Sequence, residues 1–284
     1  MTASGDPGPL ALIAGRGDLP VHVVEGARAA GRDVFVARLK GFEEPRLADH
    51  RGASIGIGEL GKLIKALKAE GCRDIVFAGH VSRPDFSALS VDLRGARLLP
   101  KAIKVARNGD DALLRLILSE LEAEGFRILG AETFAENLLA PDGQIAGPRP
   151  SPAALEDVAR AQEVARVIGE LDIGQGCVVC DGLVLAVEAQ EGTDAMLARC
   201  ADLPSPLKGR PGAPRGVLVK VPKPIQTRKI DLPTIGLATL EGVQKAGLAG
   251  IAVRAGAALV IDRPALEAFG AKEGVFVWGL GGPE

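Results

Sequence analysis

Leu10–Pro20 reads LALIAGRGDLP: a short apolar run, a glycine turn, then the opening of a helix. A strand that ends in such a turn and feeds a helix is the first unit of a doubly wound sheet, with the turn at its ligand edge. The residues that follow repeat the pattern. Val21–Ala30 reads as a helix, Asp33–Ala37 as a second strand and Ser54–Ile57 as a third. Glu59–Glu70 carries Leu60, Leu63, Ile64 and Leu67 at helical spacing. Ile75–Ala78 is a fourth strand, Asp92–Arg107 a long basic helical stretch, Asp110–Glu124 a further helix and Phe126–Leu129 a fifth strand. This alternation predicts a parallel sheet with helices on both faces. The expected fold class is α/β, with a Rossmann-like N-terminal domain over residues 1–145.

Proline, glycine and small residues concentrate in APDGQIAGPRPSP, residues 140–152, which reads as the domain boundary. Beyond it Ala153–Leu171 is a helix, and CVVCDGLVLAV is a hairpin turning at Asp181-Gly182. A short helix after Thr193 follows. Strands are expected near 216–221, 251–253 and 258–261, a helix from about Thr234 to Ala246, and a closing strand at Val275–Trp278. Residues 146–284 are thus a distinct α+β domain. Pro204–Arg215, with four prolines and two glycines, reads as a mobile flap.

Composition narrows the function. The 284 residues are 47% hydrophobic and 25% charged, as in a globular protein with ample core. A net charge of -2 argues against general nucleic-acid binding, and an aromatic content of 3% argues against base-stacking platforms. Small molecules are the expected partners. The apolar stretches GVLVKV (216–221) and AGAALVI (255–261) fall short of the ~20 residues a membrane helix needs. MTASGDPGP has no basic start and no long apolar run, so no signal peptide is expected and the location is expected to be cytoplasmic. Cys177 and Cys180 form a CxxC on a strand, where residues three apart point to opposite faces. They read as buried structural thiols, as do Cys72 and Cys200.

Five segments could carry chemistry. KVPKPIQTRKIDLPTIG, Lys220–Gly236, sets Lys220, Lys223, Arg228 and Lys229 around a single acid, Asp231. Pro222 and Pro224 deny it a helix, so the cations lie on a stiff extended segment. A cationic arc of this kind suits a pyrophosphate, with the acid left to manage a water. VEAQEGTD, 187–194, turns at Gly192 and opens a helix at Thr193. Free amides there attract anions, whereas Glu188, Glu191 and Asp194 repel them; a bridging Mg²⁺ reconciles the two. In AGRGDLP, Gly15 and Gly17 suit a nucleotide, although Pro20 stands where a dinucleotide fingerprint has its third glycine. GHVSRP, 79–84, brings His80 and Arg83 to the same sheet edge. NGDD, 108–111, opens a helix with Asp110 and Asp111, of which one serves as a cap and the other is left for a ribose hydroxyl or a metal-bound water.

Together these segments resemble the UDP-2,3-diacylglucosamine pyrophosphatases of lipid A biosynthesis, the form unrelated to the calcineurin-like metallophosphoesterases. The resemblance runs from about Leu10 to Gly279. It implies Mg²⁺-dependent hydrolysis of UDP-2,3-diacylglucosamine to UMP and 2,3-diacylglucosamine 1-phosphate (lipid X), with water attacking the β-phosphate. It marks Asp231 as essential, as base or metal ligand, with Glu191 and Asp194 completing the metal shell. Lys223, Gln226 and Arg228 would neutralise the diphosphate as the bond breaks. Gly15, Gly17, His80, Arg83, Asp110, Asp111, Gly192, Thr193 and Lys220 would bind the substrate. A diacylated substrate implies transient contact with the inner membrane, and oligomer statistics suggest a homodimer. Two other readings stay open on the residues alone: a nucleotide-sugar or lipid-binding carrier, and an NAD-dependent oxidoreductase.

Overall fold

A computed structural model describes residues 8–82, 85–86, 89–107, 109–223 and 232–282. The chain forms two compact units, Met1–Glu136 and Asn137–Glu284. In the first, β1 (Leu10–Ala14), α1 (Asp18–Ala29), β2 (Val34–Leu39), β3 (Gly52–Ile55), α2 (Leu60–Ala69), β4 (Asp74–Ala78), α3 (Leu93–Ala106), α4 (Asp110–Ala123) and β5 (Arg127–Leu129) follow in order. The five strands pair in parallel in the order β3-β2-β1-β4-β5. β1 is apolar throughout because it is buried throughout, as a central parallel strand must be. Its last residue, Ala14, pairs with the last residue of β4, Ala78. The turns after these two strands therefore leave the sheet side by side, at the point where the strand order reverses.

The foot of β4 holds a buried charge. The Asp74 side chain is 1% exposed and lies between Arg32 (2.5 Å) and Arg127 (2.6 and 2.9 Å). Burial alone would raise its carboxyl, but the two guanidiniums outweigh that and hold it below the usual carboxylate range. Its contribution to stability is complete at neutral pH and is lost as pH falls through that lowered value. Asp74→Ala is expected to lower stability by about 3 kcal/mol in a urea titration, because Arg32, 13% exposed, loses the carboxylate that balances its charge.

The second unit runs β6 (Gly143–Ala146), α5 (Pro152–Glu170), β7 (Gly176–Cys180), β8 (Leu183–Val187), α6 (Gly192–Ala201), β9 (Val217–Lys220), β10 (Thr234–Ile235), α7 (Leu237–Lys245), β11 (Gly250–Arg254), β12 (Leu259–Val260), α8 (Arg263–Glu273) and β13 (Phe276–Leu280). Its main sheet has the order β6-β13-β11-β9-β7-β8, with a parallel trio β13-β11-β9 flanked by antiparallel strands. β10 and β12 make a separate parallel pair. Alternation along the strands sorts the core. Cys177, Val179, Val217 and Val219 face Ala154, Val158, Ala161 and Ala165 of α5. Val178 and Leu218 join Met196, Leu240 and Leu266, from α6, α7 and α8, on the other side.

Three local expectations change. The sequence boundary at 145/146 falls inside β6, which pairs antiparallel with β13 despite its proline- and glycine-rich flanks. Residues 263–273 form α8, which the periodicity does not announce because it buries few residues, Leu266 and Gly270. Its caps do announce it: the Asp262 carboxylate accepts from Ala265 N at 3.3 Å, and Gly274 ends the helix with a left-handed φ. Pro204–Arg215 is no loose flap among the described residues. Lys208 is buried and donates to Ala246 O (3.4 Å), while Arg215 bonds Lys208 O (3.0 Å) and pairs with Asp181.

Candidate functional site

The switch-point turn of the first unit brings Gly15, Gly17 and His80 together. Arg16 and His80 exchange backbone hydrogen bonds (3.1 and 2.8 Å), and a Cβ on Gly15 would meet His80 O at 2.6 Å. Only glycine lets the two turns approach this closely. The amide a bound phosphate would use is already engaged: Gly17 N donates to Glu44 Oε2 at 3.0 Å. Glu44 is buried, and its carboxyl is pulled down to about 2, first by Arg46, against the opposing effect of burial, with help from the Gly17 amide. A carboxylate from 27 residues away thus takes a donor that a dinucleotide pyrophosphate would need. His80 itself is exposed, with Nε2 3.1 Å from Ser82 Oγ. Arg83 lies outside the described residues. Asp111 is buried in the first turn of α4; nothing is described of the Asp110 side chain.

In the second unit, two of the motif segments converge on β7. Lys220, the last residue of β9, pairs with Gly176 across one edge of β7, and Glu188 N donates to Gly176 O (2.8 Å) across the other. A Cβ on Gly176 would stand 2.7 Å from Glu188 Oε2, so the glycine makes room for that carboxylate. Lys220 Nζ donates to Thr193 Oγ1 (2.6 Å), and Thr193 donates in turn to Glu188 Oε1 (2.7 Å). The ammonium is 3.9 Å from the same carboxylate oxygen, with both side chains under 10% exposed. Glu188 Oε2 is buried with no hydrogen-bond donor among the described residues. A buried polar atom left this way costs about 1–3 kcal/mol, and Asp172 Oδ2 and Gln175 Oε1 are in the same state among the described residues.

Lys223 extends the same segment and is held by Asp172 Oδ1 at 2.7 Å. Asp172 follows α5 in the left-handed region, at φ 56°. Val221 N donates to Gln175 O (3.1 Å), so the chain leaves β9 still fastened to the residues ahead of β7. Gln226, Arg228, Lys229 and Asp231 lie outside the described residues. Of the two acids that form this site, motif reading names Glu188 without giving it a role and does not name Asp172. Glu188 carries one signal, being the first acid after the apolar run of β8; Asp172 carries none.

Of the acids expected to hold a metal, Glu191 and Asp194 are described and Asp231 lies outside the described residues. Glu191 is paired with Arg199 at 2.8 Å, and that guanidinium lowers its carboxyl below the usual range. Asp194 is exposed in the first turn of α6, beside Gly192. Among the described residues no three His, Cys, Asp or Glu side chains converge as a metal site. The described residues therefore do not by themselves fit a divalent cation. The four cysteines are all buried and free, and burial pushes the Cys177 thiol up to about 12 and Cys180 up to about 11. Both are structural, as expected.

A two-unit chain with a doubly wound first sheet and a buried lysine–threonine–glutamate site in the second defines a class, which comparison with known proteins identifies. The LpxI N-terminal domain family model matches residues 9–138, and the LpxI C-terminal domain model matches 141–278. The chain belongs to the LpxI family. It is 55% identical over 271 residues to the UDP-2,3-diacylglucosamine pyrophosphatase LpxI of Caulobacter vibrioides (strain ATCC 19089 / CIP 103742 / CB 15), covering 95% of this chain and 97% of that protein. The family expected from the motifs is the one found.

Proposed function

We propose that this chain hydrolyses the pyrophosphate bond of UDP-2,3-diacylglucosamine, giving UMP and lipid X. The observation that carries the proposal is its near full-length likeness to the Caulobacter enzyme of that name. The buried Lys220–Thr193–Glu188 group supports it, since a preset ammonium in a site shielded from water stabilises charge that develops on a diphosphate. Lys223, engaged by Asp172, fixes the start of the segment that leads to Asp231. Asp231 orients the water. The water oxygen bonds to the β-phosphorus, the bond from that phosphorus to the bridging oxygen breaks, and UMP departs with the bridging oxygen. Magnesium belongs to the proposal through the charge of the diphosphate and through Asp231, but no step is assigned to it. The substrate is collected by contact with a membrane surface.

The test is hydrolysis in ¹⁸O-labelled water, with and without magnesium. Label is expected in the phosphate of lipid X and not in UMP. Label in UMP would place the attack on the α-phosphate, and no UMP above a no-enzyme control would end the proposal.

A further inference from the structure

The α3 helix, Leu93–Ala106, carries large apolar side chains on its outer face as well as on its inner one. A surface helix usually buries its large apolar residues and exposes its polar ones. Here Gly95, Ala102 and Ala106 are buried and Leu98, Leu99 and Val105 half-buried, yet Leu93 is 72% exposed and Ile103 38%. Ala96 and Pro100 lie between those two on the same exposed face. Beside this apolar line run Arg97, Lys101 and Lys104, with Arg107 just past the helix end; all four are exposed, and none forms an ion pair with a described residue. Residues 93–107 contain five cations and no acid, in a chain whose net charge is -2. The fifth cation, Arg94, faces inward and ties the helix to α4 through Glu124 (2.6 Å) and Glu120 (3.5 Å). An open depression of about 670 Å³ lies along the helix and is lined in part by Leu93, Arg97 and Lys101. Two acids border it, and both are occupied: Asp92 accepts from Gly95 N and Lys62 N (2.8 Å each), and Glu120 pairs with Arg94.

We infer that the exposed face of α3 is the surface by which this protein docks on an anionic phospholipid leaflet. Exposed leucine and isoleucine beside a row of exposed cations is the arrangement that lets a helix lie in the interface, apolar side chains among the acyl chains and cations against phosphate headgroups. A nucleic acid would use the cations but leave Leu93 and Ile103 in water. No helix among the described residues is long and apolar enough to cross a membrane, so docking of this kind is peripheral and reversible. The inference deepens the proposed function and rests on it in one respect: a diacylated substrate gives the docking its purpose.

The test is sedimentation of the purified full chain with phosphatidylcholine vesicles, with and without phosphatidylglycerol. Binding is expected only to the anionic vesicles, and it should be lost at high salt. R97E/K101E/K104E is expected to weaken it by about tenfold or more. Leu93→Ala should weaken it several-fold without changing the charge; it also serves as the second variant if the triple one fails to fold by circular dichroism. Both variants should still hydrolyse detergent-dispersed substrate at the wild-type rate. Equal sedimentation of wild type and variants, no binding by wild type, or binding to an RNA duplex in preference to vesicles would each overturn the inference. If wild type binds vesicles but releases no UMP in detergent, the pyrophosphatase proposal fails and the docking surface stands.

Discussion

Asp231→Ala is expected to lower UMP release about a thousandfold, the usual scale for loss of a positioned acid or base. Intact substrate should nonetheless remain bound. The cations that attract the diphosphate, Lys220 and Lys223, are held by Thr193 and Asp172, contacts that the substitution leaves in place. Mass spectrometry of the purified variant should therefore find UDP-2,3-diacylglucosamine where the wild type holds product or nothing. The experiment also separates an enzyme from a carrier, because a carrier has no turnover to lose. Hydrolysis by the variant at the wild-type rate would remove Asp231 from the mechanism.

The doubly wound half of the fold was legible because its signals are local. Each strand is a short apolar run closed by a turn, and each helix follows within a few residues, so element type and sheet class can be read segment by segment. β10 shows where that stops. Thr234 and Ile235 stand at the front of a helical pattern, yet they pair with Leu259 and Val260, and α7 starts only at Leu237. The glycine turn shows the same limit at a site. Gly15 and Gly17 look like a phosphate cradle until Glu44, brought in from beyond β2, takes the Gly17 amide. Glu188 is the converse case. As a sequence position it is one acid among three. It becomes the carboxylate of the site only because β8 and β9 flank β7 and set it beside Lys220. Glu191, the more prominent acid of that motif, is drawn to Arg199 on its own helix.

Lys220→Ala should be damaging twice over, and the two effects are separable. The side chain is 7% exposed and its removal leaves Glu188, 9% exposed, as a buried carboxylate with Thr193 as its only described side-chain partner. Breaking a buried pair from one side typically costs about 3–5 kcal/mol, and the 3.9 Å separation with threonine interposed points to about 3 here. Activity should fall about a hundredfold or more, as when a preset charge is removed from a transition state. The second substitution is diagnostic. Glu188→Gln in the Lys220→Ala background removes the stranded charge while keeping the acceptor for Thr193, so most of the lost stability should return in a urea titration. Activity should not return, because no ammonium is present to meet the diphosphate. If instead the double variant recovers UMP release together with its stability, Lys220 serves only to neutralise Glu188, and the charge that acts on the diphosphate must come from the segment leading to Asp231.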